Sequence, residues 1–142
     1  MATNRIFVDS NFFIALFNPA DSLHSRAIRA GRKIEKDGFK LIFSNFIFLE
    51  VVTVLSQKLS RRSATIFGKQ LLDDRYLQLA HINRKLNNLT WQIFSDIKNK
   101  NISFVDCSCL AVMKTEEIKL ILTFDKKDFR SLAEKYNFNI YQ

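Results

Sequence analysis

Short, uninterrupted apolar runs recur along this chain, each followed by a stretch with helical spacing, and that alternation leaves few folds open. Ile6-Phe7-Val8 has no polar face and reads as a buried strand. Asn11 to Phe17 reads as a short helix stopped by Asn18-Pro19. Asp21 is placed to cap a second helix carrying Leu23, Ala27, Ala30, Gly31 and Ile34 on one stripe. Asp37-Gly38 marks a turn before a second strand, Lys40 to Ser44. Ser44 or Asn45 can cap a long helix running to about Ser60, and Arg61 to about Leu72 continues as another. Tyr76 to His81 alternates as a strand, and Asn83 to Lys98 is helical, with Leu86, Leu89, Trp91, Ile93, Phe94 and Ile97 expected to point mostly inward. Ser103 to Asp106 is short and reads as a loop, Ser108 to Glu117 as helix and Lys119 to Thr123 as strand. Asp128 to Tyr136 closes as helix, with Asn139-Ile140-Tyr141 a terminal strand. Strands alternating with helices of about ten to fifteen residues predict an α/β chain: a three-layer α/β/α sandwich around a mainly parallel sheet.

At 142 residues the chain is expected to form a single domain, 1–142. Three glycines and one proline argue against a turn-rich all-β fold, and the fourteen phenylalanines fall in the periodic segments, as core residues do. The two cysteines, Cys107 and Cys109, build neither a disulfide framework nor a zinc pattern and read as small packing residues in a reduced setting. The start, Met1 to Arg5, leads straight into the first strand without the form of a signal peptide, and no apolar run approaches a membrane span. A cytoplasmic protein is expected.

Four carboxylates interrupt or close the apolar runs. Asp9 follows Ile6-Phe7-Val8, Glu50 divides Phe46-Ile47-Phe48-Leu49 from Val51-Val52, Asp106 follows Ser103-Phe104-Val105, and Asp125 follows Thr123-Phe124. Ionised carboxylates are rarely buried unless paired or bound to metal, because their desolvation is so unfavourable. The chain meanwhile has a formal net charge of +8. Acids gathered inside a basic body suggest a divalent-cation site acting on a polyanion. In a parallel sheet, ligands bind beyond the carboxyl ends of the strands, where Asp9 and Asp125 fall.

Val8-Asp9-Ser10-Asn11, Glu50 in the third helix, Phe104-Val105-Asp106 opening a helix and Leu122-Thr123-Phe124-Asp125 before Asp128-Phe129 together resemble a PIN domain over essentially the whole chain. The similarity is to small single-domain ribonucleases of the VapC type, the toxins of toxin–antitoxin pairs. It implies an endoribonuclease dependent on Mg²⁺ or Mn²⁺, homodimerisation, and inhibition by a small antitoxin protein. Carried onto this chain, it makes Asp9 and Asp106 inner ligands, with Glu50 and Asp125 binding through water or a second ion and one of them accepting the proton of the attacking water. Asn11 and Thr123 are expected to hydrogen-bond ligands or a phosphate oxygen. Lys126-Lys127 between Asp125 and Asp128 is a longer spacing than relatives often show, which leaves the reach of Asp128 open.

Plainer roles exist for each residue. Asp9 and Asp125 suit turns, and Asp106 suits a helix cap. Arg26, Arg29, Lys33 and Lys36 form either a solvated helix face or an RNA-facing stripe. Arg61, Arg62, Lys69, Lys98, Lys100, Lys126, Lys127 and Arg130 are candidate phosphate contacts. Trp91 is expected in the core, and the Phe46, Phe48 and Val52 helix is a candidate surface for the antitoxin or for dimerisation. An RNA-processing nuclease, a non-catalytic RNA-binding PIN domain and a phosphoacceptor receiver domain are the competing readings. The receiver would need paired acids after the first strand, where this chain has Asp9-Ser10.

Overall fold

The computed structural model describes residues 4–142, so Met1, Ala2 and Thr3, which head the stretch read above as free of a signal peptide, lie outside the described residues. The chain runs β1 (Arg5–Val8), α1 (Ser10–Phe17), α2 (His24–Asp37), β2 (Lys40–Ser44), α3 (Asn45–Lys58), α4 (Arg61–Asp73), β3 (Leu77–Ala80), α5 (Arg84–Asp96), α6 (Phe104–Glu116), β4 (Leu120–Leu122), α7 (Lys126–Tyr136) and β5 (Asn139–Ile140). The five strands form one sheet in the order β3-β2-β1-β4-β5, and every pairing is parallel. Crossovers between parallel strands are right-handed. From β1 to β3 the chain steps one way across the sheet, which puts α1 to α4 on one face. It then steps the other way to β4 and β5, which puts α5 to α7 on the opposite face. This is the three-layer α/β/α sandwich that the alternation predicts.

β1 is the central strand, and Ile6, Phe7 and Val8 are fully buried, as a strand covered on both sides requires. Its neighbours register Phe7 against Ile42 on one side and against Ile121 on the other. The direction of strand progression reverses between β1 and β4, so the topological switch point lies at their carboxyl ends. Gly38 ends α2 in the left-handed region (φ 74°), which fits the expected Asp37-Gly38 turn. Gly68 lets α4 lie close to α3, since a Cβ there would meet Val52 Cγ2 at 3.3 Å. No helix among the described residues is long and apolar enough to cross a membrane.

The structure differs from the sequence reading at several element boundaries and in the direction of two side chains. α6 begins at Phe104, four residues before the expected start, because Ser103 caps it. α7 begins at Lys126, ahead of the expected Asp128. Asp21 does not cap α2: its carboxylate accepts from the Leu23 N–H at 2.9 Å in a turn that precedes the helix. Trp91 and Phe94 point outward, 60% and 37% exposed, since α5 turns Thr90 and Ile93 toward the core instead. Trp91 stacks on Phe94, Phe94 meets Phe104 edge-on, and Phe104 lies beside Phe46, with ring centroids 5.9, 5.7 and 6.5 Å apart. Cys107 and Cys109 are buried free thiols, as expected of packing residues.

Candidate active site

Asp9 leaves β1 at the switch point, where its N–H donates to the Leu122 carbonyl at 3.0 Å and so extends the β1–β4 ladder. Its side chain is only 5% exposed. One carboxylate oxygen accepts from the Ser10 N–H at 2.8 Å, which also caps α1. The other accepts from the Thr123 hydroxyl at 2.8 Å and, more loosely, from Asn11 Nδ2 at 3.4 Å. Thr123 Oγ1 in turn accepts from the Asp125 N–H at 3.0 Å and from Asn11 Nδ2 at 3.2 Å, while Asn11 Oδ1 accepts from the Phe124 N–H at 3.0 Å. Asn11 and Thr123 thus tie the ends of β1 and β4 into one hydrogen-bonded unit around Asp9. Every polar atom in this unit has a partner, which is what allows it to be buried.

Asp106 arrives from the opposite layer. It is the third residue of α6, in a capping box: Ser103 Oγ accepts from the Asp106 N–H at 3.0 Å, and the Asp106 carboxylate accepts from the Ser103 N–H at 2.9 Å. The cap role and the site role therefore coexist, because a carboxylate has lone pairs left after the first bond. Glu50 sits in the interior of α3, half-buried and outside any ion pair among the described residues. Asp125 precedes α7 and Asp128 lies in its first turn.

Burial and neighbouring charge act on these carboxylates in the same direction. Burial pushes Asp9 up to about 7, with the charges of Asp106 and Glu50 adding to it and the Thr123 and Ser10 bonds opposing it. Asp106 is raised by burial and then by Asp125 and Asp128, against the stabilising bonds from Ser103. Asp125 is raised by burial and by Asp128. Cys109 is pushed well above the usual thiol range by burial first, with the charges of Asp9, Asp106 and Glu50 adding to it. Asp128, whose reach the sequence left open, acts on both Asp125 and Asp106.

The donor set is wholly oxygen, which suits a hard cation such as Mg²⁺ or Mn²⁺ and no soft one. Among the described residues, no three acidic, histidine or cysteine side chains converge on a single point at ligand distances. Burial first, and then the charge of neighbouring acids, raises Asp9 and Asp106, and a bound cation would favour their ionised forms.

The profile of the PIN domain family matches residues 6–135. In sequence, the chain is 28% identical over 120 residues to the 23S rRNA-specific endonuclease VapC20 of Mycobacterium tuberculosis, covering 84% of this chain and 88% of that protein. The crystal structure of that VapC20, described as a sarcin-ricin loop cleaving toxin, has a TM-score of 0.77 at 24% identity, covering 89% of this chain and 94% of the other. VapBC2 from Rickettsia felis, bound to a DNA fragment from its promoter, gives 0.71 at 12% identity over 96% and 97% of the two chains. A toxin–antitoxin complex from Klebsiella pneumoniae gives 0.62 at 13% identity over 96% of both. The structural likenesses agree on the fold, and the family match runs from β1 into α7 across all four acids: this chain belongs to the PIN domain family.

Proposed function

We propose that this protein is a divalent-metal-dependent endoribonuclease that hydrolyses RNA phosphodiester bonds, and that it acts as the toxin of a toxin–antitoxin pair. The observation that carries this reading is the buried Asp9 carboxylate, anchored by Thr123 and surrounded by the charges of Asp106 and Glu50, in a PIN domain with a net charge of +8. The likeness to VapC20, itself named as a 23S rRNA-specific endonuclease, supports structured RNA as the substrate class.

Asp9 and Asp106 are the proposed inner ligands, with Glu50 and Asp125 acting through water. A bound Mg²⁺ or Mn²⁺ supplies Lewis-acid activation of water and neutralises charge on the phosphate. The chain's own part is orientation and proton transfer. Thr123 and Ser10 hold the Asp9 carboxylate against rotation, and Asn11 keeps the β4 end at a fixed distance from it. Glu50 or Asp125 takes the proton of the attacking water as general base. Lys126, Lys127 and Arg130 stand around the start of α7 and draw the polyanion toward the acids. Lys69 is less available, since it pairs with Asp73 on the surface of α4.

The partners follow the same reading. An apolar groove of about 750 Å³ runs between α1, α2 and α4, lined by Phe12, Phe13, Leu16, Phe17, Ile28 and Leu71. It suits the apolar face of an antitoxin helix better than the α3 surface does, where Phe48 and Val52 already pack toward Gly68 and the cleft is about 420 Å³. A homodimer is proposed through the exposed Trp91–Phe94 face of α5. A cytoplasmic setting fits an RNA target and two free, buried cysteines.

The test is cleavage of purified structured and unstructured RNA in Mg²⁺, Mn²⁺ or EDTA, beside Asp106→Asn. Cleavage that needs the ion and disappears in the variant is expected. Cleavage that persists in EDTA, or in Asp106→Asn, would overturn the assignment.

A further inference from the structure

Arg26 lies on α2 with its guanidinium carbon 5.4 Å from the centroid of the Phe124 ring. Phe124 separates Thr123 from Asp125 in the chain, so this cation lies over the ring of a residue flanked by two members of the proposed site. Phe124 is itself braced, its ring 6.3 Å from that of Phe12 and its N–H bonded to Asn11. A guanidinium stacked on a ring is fixed in place while its N–H donors stay free. Among the described residues Arg26 enters no ion pair, so neither Asp9 nor Asp125 neutralises it.

Next to this cation a cleft of about 130 Å³ opens between α2 and the start of α7, with Arg26, Lys33, Thr123, Phe124 and Lys126 in its walls. Lys33 donates to the Gln142 carbonyl at 2.7 Å and lies over the Tyr141 ring. Arg26 and Lys126 are the two cations of the cleft without a partner among the described residues. Lys126 is also the first residue of α7, where the helix presents the positive end of its dipole. Two cations in a small cleft, one of them held over a ring, suit one phosphodiester group.

We propose that Arg26 and Lys126 form a phosphate-binding subsite that seats the RNA backbone beside the acidic cluster and sets the register of the scissile bond. The inference rests on the nuclease reading above and adds to it a positioning role for two residues outside the acids. It also divides the basic stripe of α2: Arg26 lines the cleft and contacts the substrate, whereas Arg29, exposed as Arg26 is, lies outside the cleft.

The test is binding of a short fluorescein-labelled RNA hairpin, measured in Mg²⁺ in an Asp106→Asn background so that the RNA stays intact. Arg26→Ala and Lys126→Ala are compared with Arg29→Ala, which removes the same charge from the same helix. Losses of about tenfold in affinity are expected for the first two, as for a lost hydrogen bond to a charged group. Their salt dependence should be shallower by about 0.7 in log–log slope for each lost contact. Arg29→Ala should change little. Equal losses for Arg26→Ala and Arg29→Ala would show general attraction and overturn the subsite. If the chain with its native Asp106 leaves RNA uncut in every ion while the Arg26-dependent binding persists, the nuclease reading falls and the subsite stands.

Discussion

The Thr123 hydroxyl donates to the Asp9 carboxylate at 2.8 Å and accepts from the Asp125 N–H at 3.0 Å, so one oxygen atom joins two of the four proposed site acids. Threonine suits this position because its hydroxyl supplies both roles while its methyl packs in a buried site.

Thr123→Val keeps the shape and removes both roles. We expect kcat/KM for RNA cleavage to fall about 10–100-fold, the usual effect of losing a hydrogen bond that orients a ligand. Thr123→Ser should retain most of the activity. Because the Thr123 bond lowers the Asp9 pKa, the acidic limb of the pH–rate profile should move to higher pH in the valine variant. An unmoved limb would count against Asp9 as an essential ionised group.

Metal-free stability should fall as pH rises. Asp9 has its folded-state pKa raised from 3.8 to about 7, so its protonated form favours folding. That contribution is complete below pH 3.8 and is lost as pH rises through about 7; Asp106 and Asp125 act in the same direction. Thermal unfolding in EDTA should therefore show a lower Tm at about pH 8 than at about pH 5.5. Asp9→Asn should flatten the dependence and be the more stable protein at the higher pH. Added Mg²⁺ should raise the Tm most where the acids are ionised.

Ser103 and Asp106 share a capping box, and two variants separate its structural from its chemical part. Ser103→Ala should lower stability by about 1 kcal/mol, the typical value of an N-cap, and leave measurable cleavage. Asp106→Asn should lower cleavage by more than about a hundredfold, a loss in the range set by removing a metal ligand or base. Parallel Tm and cleavage measurements on both proteins check this. Similar cleavage losses in the two would mean that Asp106 acts mainly by building the helix.

Trp91 is the sole tryptophan and is 60% exposed, so it reports on the proposed pairing of two copies. Dilution should shift its emission to the red as the dimer dissociates, and Trp91→Lys should sediment as a monomer at concentrations where the parent chain is a dimer. A parent chain that sediments as a monomer throughout would overturn this surface.

Among the described residues, the sequence showed the five strands, the seven helices and the strand-end positions of Asp9 and Asp125, because continuous apolar runs and strand-end carboxylates are strong local signals. The start of α6 was obscured: Phe104 and Val105 have β-type side chains, and only the capping box with Ser103 overrides that preference. Trp91 and Phe94 follow apolar spacing, and nothing local tells an inward stripe from an exposed one. The coupling of Asp128 to Asp106, and the seat of Arg26 on Phe124, depend on contacts between elements far apart in sequence, which periodicity does not encode.

β1 lies in the middle of the sheet, yet one of its two partners, β4, is made more than a hundred residues later in the sequence. A chain emerging from the ribosome carries Asp9, Glu50 and Asp106 well before the segment that supplies Thr123 and Asp125. The proposed site therefore closes only after β4 has been made and has paired with β1, and long-range pairing of this kind is slow to form. For the nuclease proposed here, topology itself acts as a timer: the site stays incomplete until β4 has paired with β1.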